Sequence, residues 1–325
     1  MLEKNISVVI PAYNAADFIE EALDGIFKQT LLPNEVVIID DGSIDKTCQI
    51  IQDWVSKSNP TYSVIVRSQV NSGISATRNL GIKIASGIWI AFLDADDIWE
   101  PMHLELLYAA LELLPSAIAS YGGGRLLEDG ITQEGMYDDF WDNPSKKYGK
   151  KIDGSSFCSI DSEIFPRLIK GNFIKPSSLM VSSAAIQKSG SFREDLGTAE
   201  DREFLIRLIL MGSFVYVPEA ITKYRWHNDN ASQVRNAKRN AENGLLAIQM
   251  VGVNKSLALT STQMAACTDA ITASAKDYLY ICCQRGWQDY MGGIAFICQH
   301  LGWMRVLSCI SLKQVVRSFW KSPIS

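Results

Sequence analysis

Residues 88–97 read Ile88-Trp89-Ile90-Ala91-Phe92-Leu93-Asp94-Ala95-Asp96-Asp97. Six consecutive apolar residues after Gly87, closed by a polar turn, have the length and composition of a strand buried on both faces of a parallel sheet. Three carboxylates at its carboxyl end crowd negative charge, which is costly unless a cation lies between them. The stretch Glu35-Val36-Val37-Ile38-Ile39 runs into Asp40-Asp41-Gly42-Ser43 in the same way. Open α/β sheets bind ligands outside the carboxyl ends of their strands. Two acidic strand ends therefore predict a divalent cation and a polar ligand in one crevice.

Working outward, strand and helix patterns alternate over the first hundred residues. Ile6-Ser7-Val8-Val9-Ile10 reads as a strand and Pro11-Ala12-Tyr13-Asn14 as a turn. Phe18, Ala22, Leu23, Ile26 and Phe27 recur at helical spacing, so residues 15–29 are expected to form an amphipathic helix. Asp45 is placed to cap a second helix running to about Lys57. Residues 62–66 read as a strand, residues 75–85 as a helix, and Pro101 suits the first turn of a helix ending near Leu114. This order implies a mostly parallel, Rossmann-like sheet flanked by helices, with right-handed crossovers.

Past Ser116 the regularity fades. Residues 117–121 and 125–128 are expected to pair as strands around Gly122-Gly123-Gly124. Residues 129–160 read as a long polar loop, and loops of that length are usually functional or disordered. Residues 162–169 and 200–211 read as helices. Residues 173–181, 214–217 and 220–226 read as strands. After Ser232 strand patterns stop, and residues 233–325 read as helices separated near Gly252, Gly286 and Gly302. The expected domains are thus an α/β unit over 1–232 and a helical segment over 233–325.

The 325 residues are 47% hydrophobic and 21% charged, an ordinary globular composition. A net charge of -5 and no basic stripe over residues 1–230 argue against a nucleic-acid partner. The first strand follows Met1-Leu2-Glu3-Lys4-Asn5 directly, without the pattern of a secretory leader, and no stretch of about 18 apolar residues suggests a spanning helix. Seven cysteines show no metal-ligand spacing, as expected of reduced thiols in a cytoplasmic protein.

Four motifs in order carry a resemblance. Val8-Val9-Ile10-Pro11-Ala12-Tyr13-Asn14 comes first, then Val37-Ile38-Ile39-Asp40-Asp41-Gly42-Ser43. Asn71-Ser72-Gly73 with Arg78-Asn79-Leu80-Gly81 follows, then Phe92-Leu93-Asp94-Ala95-Asp96-Asp97. Together they resemble family 2 glycosyltransferases over roughly residues 5–230. Each motif alone is modest; Asp40–Ser43 is also an ordinary turn sequence, and Arg78 an ordinary surface arginine. The resemblance implies the GT-A fold, inversion at the sugar carbon and a nucleotide-sugar donor, most often a UDP-sugar. It implies that Pro11, Ala12, Tyr13 and Asp41 hold the nucleobase, that Arg78 sits near the nucleotide and that Asp94 lies toward the ribose. It implies that Asp96 binds Mg²⁺ or Mn²⁺ beside the diphosphate. Asp97 either shares one of those tasks or caps the next helix.

Gly197-Thr198-Ala199-Glu200-Asp201-Arg202-Glu203-Phe204 resembles the family's acceptor-side acidic motif. That resemblance makes Asp201 the general base and Glu200 the residue that orients the acceptor; read alone, two acids at a helix start merely suit its dipole. Tyr224-Arg225-Trp226-His227, continuing to Asn230-Ala231-Ser232, resembles the segment that closes the catalytic domain. There His227 approaches the metal or the diphosphate, and Arg225 is a candidate partner for a carboxylate.

In the tail, Leu312, Val315, Val316 and Phe319 share one helical face, with Lys313, Arg317 and Lys321 on the other and Trp320 at the border. That pattern suits either an anionic membrane surface or a core-packed terminal helix. The resemblance favours a saccharide or lipid-linked acceptor in bacterial surface polysaccharide or lipopolysaccharide synthesis, at the cytoplasmic face of the inner membrane, by analogy of class. Two rivals stand beside this reading. A nucleotidyltransferase would need a basic, glycine-rich loop where Pro11–Asn14 stands. A non-catalytic GT-A-like binding module would have little use for Asp41, Asp94, Asp96, Glu200, Asp201 and His227 together.

Overall fold

Strand β1 (Ile6–Ala12) is buried along its whole length, as suits a run apolar except for Ser7, whose hydroxyl is satisfied by Glu35 and the Gly87 amide. The computed structural model describes residues 3–228, 230 and 233–320, apart from the side chains of Trp141 and Trp320. Two compact units divide the chain, Met1–His227 and Asn228–Ser325.

The first unit opens as the sequence predicts. After β1 come α1 (Ile19–Phe27), β2 (Glu35–Asp40), α2 (Thr47–Ser58), β3 (Ser63–Ser68), α3 (Ile74–Ile84) and β4 (Trp89–Phe92). All four strands run parallel in the order β3-β2-β1-β4. Ile10, Val37, Ile38 and Phe92 are completely buried, and burial of such a side chain stabilises by roughly 1.5–3 kcal/mol. Register aligns the strand ends. Ala12 pairs with Asp40 and Val9 with Phe92, so Asp41 and Asp94 emerge at the same edge of the sheet.

The other half of the sheet is mixed. It comprises β5 (Ile98–Trp99), β6 (Ala119–Glu128), β7 (Ile131–Thr132), β8 (Lys150–Lys151), β9 (Cys158–Ile160), β10 (Leu179–Ser182) and β11 (Phe214–Trp226). Between them lie α4 (His103–Leu113), α5 (Pro144–Tyr148), α6 (Phe165–Leu168), α7 (Ser183–Ser189) and α8 (Glu200–Ile209). β10 joins β4 to β6 through antiparallel pairings, and β11 lies parallel to β6.

Three expectations fail here. Gly122-Gly123-Gly124 is not a turn: β6 runs straight through it. A Cβ at Gly122 would lie 2.3 Å from Ile221 Cδ1, and one at Gly124 would lie 2.3 Å from Tyr224 Cε2. The glycines therefore make room for side chains of the neighbouring strand. The strands expected at 214–217 and 220–226 form one strand, β11, with register shifts between Val217 and Thr222. Of the strand expected at 173–181, only the end is extended, because Pro176–Ser178 forms a 3₁₀ turn.

The second unit holds α9 (Ala237–Val253), α10 (Ser261–Gln284), α11 (Trp287–Leu301), α12 (Trp303–Cys309) and α13 (Leu312–Trp320). Leu245, Ile248, Leu279, Tyr290 and Ile297 are among its buried side chains. Thr260 and Gln263 form a reciprocal capping box that starts α10 (2.9 and 3.2 Å). The helices separate near Gly252, Gly286 and Gly302 as expected, α9 ending one residue past Gly252.

Candidate active site

The loops after β1 and β2 are stitched together by short polar side chains. Asn14 accepts from the Ile44 amide (3.0 Å) while its own amide donates to Ser43 Oγ (2.9 Å). Thr47 and Asp45 accept from the amides of Ala15 and Ala16. Asp45 also accepts from the Thr47 amide, so it ties the first residue of α2 to the turn before α1, whereas the N-cap position itself is Lys46 and not Asp45 as expected. Pro11 and Ala12 are buried strand residues, and the Ala12 carbonyl receives the Asp41 amide (2.8 Å). Tyr13, half exposed, presents its ring at the edge of the crevice.

Asp41 is buried and accepts from the amides of Ser72 (2.8 Å) and Gly73 (2.9 Å) and from Gln69 Nε2 (2.7 Å). Those bonds occupy three of the roughly four acceptor positions of a carboxylate. They also pin the loop that opens α3.

Arg78, on α3, is buried. One guanidinium nitrogen lies 2.7 Å from Asp94 Oδ1 and the other 2.8 Å from Glu200 Oε1. Its face lies over the Phe192 ring, 5.2 Å from the centroid. Burial opposes its charge, but the carboxylates of Asp94 and Glu200 outweigh burial and hold the cation firmly protonated. Arg78, which the resemblance sets near the nucleotide, joins the β4 end to the start of α8 through its two terminal nitrogens.

Asp96 Oδ2 lies 3.0 Å from His227 Nε2. The loop is held from behind by Arg225, whose Nε donates to the Asp96 carbonyl (2.9 Å) and whose amide donates to Asp97 Oδ1 (2.9 Å). Arg225 also pairs with Glu21 (3.0 Å), the carboxylate partner expected for it. Asp97 is buried and receives Ser177 Oγ, and it does not cap the next helix, α4, whose N-cap is Met102. Burial, then the charges of Asp96 and Asp94, push its carboxyl well above the usual range.

Glu200 and Asp201 open α8 from Ala199, a non-glycine residue at φ 64°. Such a conformation costs on the order of 1–3 kcal/mol and is commonest at functional positions. Burial, then the Asp201 charge, raise the Glu200 carboxyl. Asp201 accepts from Asn172 Nδ2 (2.6 Å) and from the Arg202 amide (2.7 Å).

Several residues here carried no sequence signal. Asn172 orients Asp201. Ser177 ties the Asp94 amide (3.0 Å) to Asp97. Half-buried Lys175 lies over the Tyr137 ring at 5.1 Å, close enough to Asp201 and Asp97 to feel their charges. Tyr137 in turn meets Tyr224 edge-on at 5.4 Å. Beside it Asp138 is buried under Tyr216 (2.8 Å), and burial pushes its carboxyl up to about 6. All of them come from segments read as loop or strand; Tyr224 stood in the closing motif, and Pro176-Ser177-Ser178 interrupting an apolar run was a further hint.

Among the described residues, no three His, Cys, Asp or Glu side chains gather into a metal site. The donor set nevertheless suits Mg²⁺ or Mn²⁺, since Mg²⁺ takes one or two carboxylates and completes its shell with phosphate oxygens and water. Asp96 and His227, in contact at 3.0 Å, are the side chains that would hold such an ion.

The fold is similar to that of GT-A glycosyltransferases. Among solved structures, S. aureus TarS aligns over 96% of this chain and 52% of its own, with a TM-score of 0.63 at 18% identity. The mannosyltransferase PcManGT from Pyrobaculum calidifontis aligns over 93% of this chain and 77% of its own, with a TM-score of 0.60 at 17% identity. Likeness at such identities is one of fold.

The model of Glycosyl transferase family 2 matches residues 7–159 of the chain. A Haemophilus influenzae protein described as an uncharacterized glycosyltransferase is 29% identical over 242 residues, 72% of this chain and 69% of that protein. A similar protein of Rickettsia typhi is 26% identical over 224 residues, 69% of this chain and 64% of that protein. The match thus spans about two thirds of these relatives' lengths.

Proposed function

We propose that this chain moves a sugar from a nucleoside-diphosphate sugar to an acceptor hydroxyl in one inverting displacement that depends on Mg²⁺ or Mn²⁺. The observation that carries this reading is the Arg78 bridge. Through contacts of 2.7 and 2.8 Å it holds Asp94, at a strand end of the parallel half, and Glu200, beside Asp201, in one crevice. Donor-side and acceptor-side carboxylates are therefore a single guanidinium apart.

Asp201 acts as general base. Asn172 and the Arg202 amide fix one hydrogen bond on each of its oxygens, leaving lone pairs for the acceptor proton. The acceptor oxygen bonds to the anomeric carbon as the bond to the diphosphate oxygen breaks, and the proton passes to Asp201. Asp96 and His227 would hold the divalent ion, which supplies charge neutralisation at the departing diphosphate. Glu200, bound to Arg78, positions rather than deprotonates. Tyr13 and Asp41 flank the base, and Asp94 lies toward the ribose.

UDP-sugars are the first candidates, because TarS has been solved with UDP and with UDP-GlcNAc. PcManGT was solved with GDP-Man and Mn²⁺, so GDP-sugars come next. Lys175, Tyr137 and Tyr224 stand on the Asp201 side and suit an acceptor sugar, the rings as an apolar platform and the ammonium as a donor. A lipid-linked saccharide of a bacterial surface polymer fits this reading.

A thermal-shift screen of UDP-, dTDP- and GDP-sugars with Mn²⁺, repeated with EDTA, tests it. A shift with one nucleotide that EDTA removes is the expected result, because a ligand of the native state raises the melting temperature. The absence of any shift would favour a non-catalytic binding module.

A further inference from the structure

Helix α13 packs with its apolar stripe turned outward. Leu312, Val316 and Phe319 recur at the spacing of one helical face. A helix folded for the benefit of its own core turns such a face inward. Here Ser318 is the fully buried residue, its hydroxyl donating to the Val315 carbonyl (2.7 Å). Leu312 is 79% exposed, Val316 51% and Phe319 62%. Lys313 and Arg317 stand exposed alongside.

Helix α12 repeats the arrangement. Val306 and Cys309 are buried, while Trp303, Met304 and Leu307 are 65%, 83% and 70% exposed. Both helices rest on α10 and α11. A single exposed leucine needs no explanation, but six large apolar side chains on two successive helices are the composition of an interaction surface.

Charge selects the partner. Residues 228–325 carry ten Lys and Arg against five Asp and Glu, the reverse of the whole chain's 31 against 36. We propose that the outward faces of α12 and α13 dock the chain on an anionic lipid surface. The apolar side chains enter the boundary between headgroups and acyl chains, and Lys313 and Arg317 meet the lipid phosphates. No helix among the described residues is long and apolar enough to cross a membrane, so contact of this kind lies in the interface. A second copy of the chain is the poorer occupant, because a two-fold contact would bring together two faces that both carry Lys313 and Arg317. Lys321 and the Trp320 side chain lie outside the described residues, and Lys321 enters only the charge count.

The full chain is tested by co-sedimentation with vesicles of phosphatidylcholine alone and of phosphatidylcholine mixed equally with phosphatidylglycerol. Binding is expected to the mixed vesicles only, and to weaken as salt screens the charges. The double substitution Leu312→Asp with Val316→Asp should lower the bound fraction at least about tenfold. Its thermal melt should stay unchanged, because both positions are exposed. Lys313→Glu should reduce binding less and keeps the test available if the double variant misfolds. Equal binding to both vesicles, or binding to neither, overturns the proposal. So does self-association in sedimentation velocity that the double variant abolishes while no vesicle binds, an outcome that would give the face to a second copy.

Discussion

The two halves of the sheet in the first unit differ in how they hold polar groups. In the parallel half, β3-β2-β1-β4, carboxylates stand just past the ends of buried strands and are fixed by backbone amides, as Asp41 is by Ser72 and Gly73. In the mixed half, polar groups sit inside the packing: Asp138 under Tyr216, Tyr121 against Ser145 (2.6 Å), Asp97 against Ser177. The parallel half offers a preformed ligand edge. The mixed half holds its irregular loops by buried hydrogen bonds, each costly to leave unpaired. Arg78 is the buried side chain through which the two halves share charge, beside the more exposed pair of Arg225 with Glu21.

Breaking that link should have the largest effect. Arg78→Ala leaves Glu200 buried without its cation, and loss of one partner of a buried pair costs about 3–5 kcal/mol. Urea unfolding should show a loss of that order, and Arg78→Lys should rescue little, since one ammonium cannot span both carboxylates. A loss under about 1 kcal/mol would mean that the bridge does not join the halves energetically.

Within the mixed half, Asp201→Asn should lower turnover at least about a hundredfold and leave the donor-induced thermal shift intact. Near-normal turnover would remove Asp201 as the base. Within the parallel half, the converse holds: Asp96→Ala should abolish the part of the donor shift that EDTA removes, and unchanged metal dependence would move the ion elsewhere.

Asp138 gives the smallest effect and a sign. Its carboxyl titrates at about 6 in the folded chain and near 3.9 unfolded. The folded state therefore binds the extra proton between those values. Stability from this group is complete below about pH 4 and is lost as pH rises through about 6. The wild type should accordingly lose about 2 kcal/mol relative to Asp138→Asn between pH 4.5 and pH 7. Parallel pH profiles for the two proteins would show that Asp138 is not charged at a cost beneath Tyr216.

Legibility follows the same division. β1, β2 and β4 are nearly continuous apolar runs buried on both faces, so composition alone marked them, and the acids following them marked the crevice. Asn172, Lys175 and Ser177 were invisible because each acts on a residue far away in sequence: Asn172 on Asp201, Ser177 on Asp94 and Asp97. Gly122-Gly123-Gly124 misled because glycine serves a turn and a close strand contact equally well, and only the β11 neighbours Ile221 and Tyr224 decide between them.

The sequence by itself determined the alternation of strands and helices, the acids at strand ends, the acidic start of α8 and the amphipathic tail. Those are local properties, set by side-chain polarity at the period of a strand or helix. The tertiary structure alone decided that Arg78 serves two carboxylates, that Asp97 is buried against Ser177 and that α13 turns its apolar stripe to solvent. Each of these depends on what lies opposite a side chain across the fold, and periodicity along the chain contains no term for that.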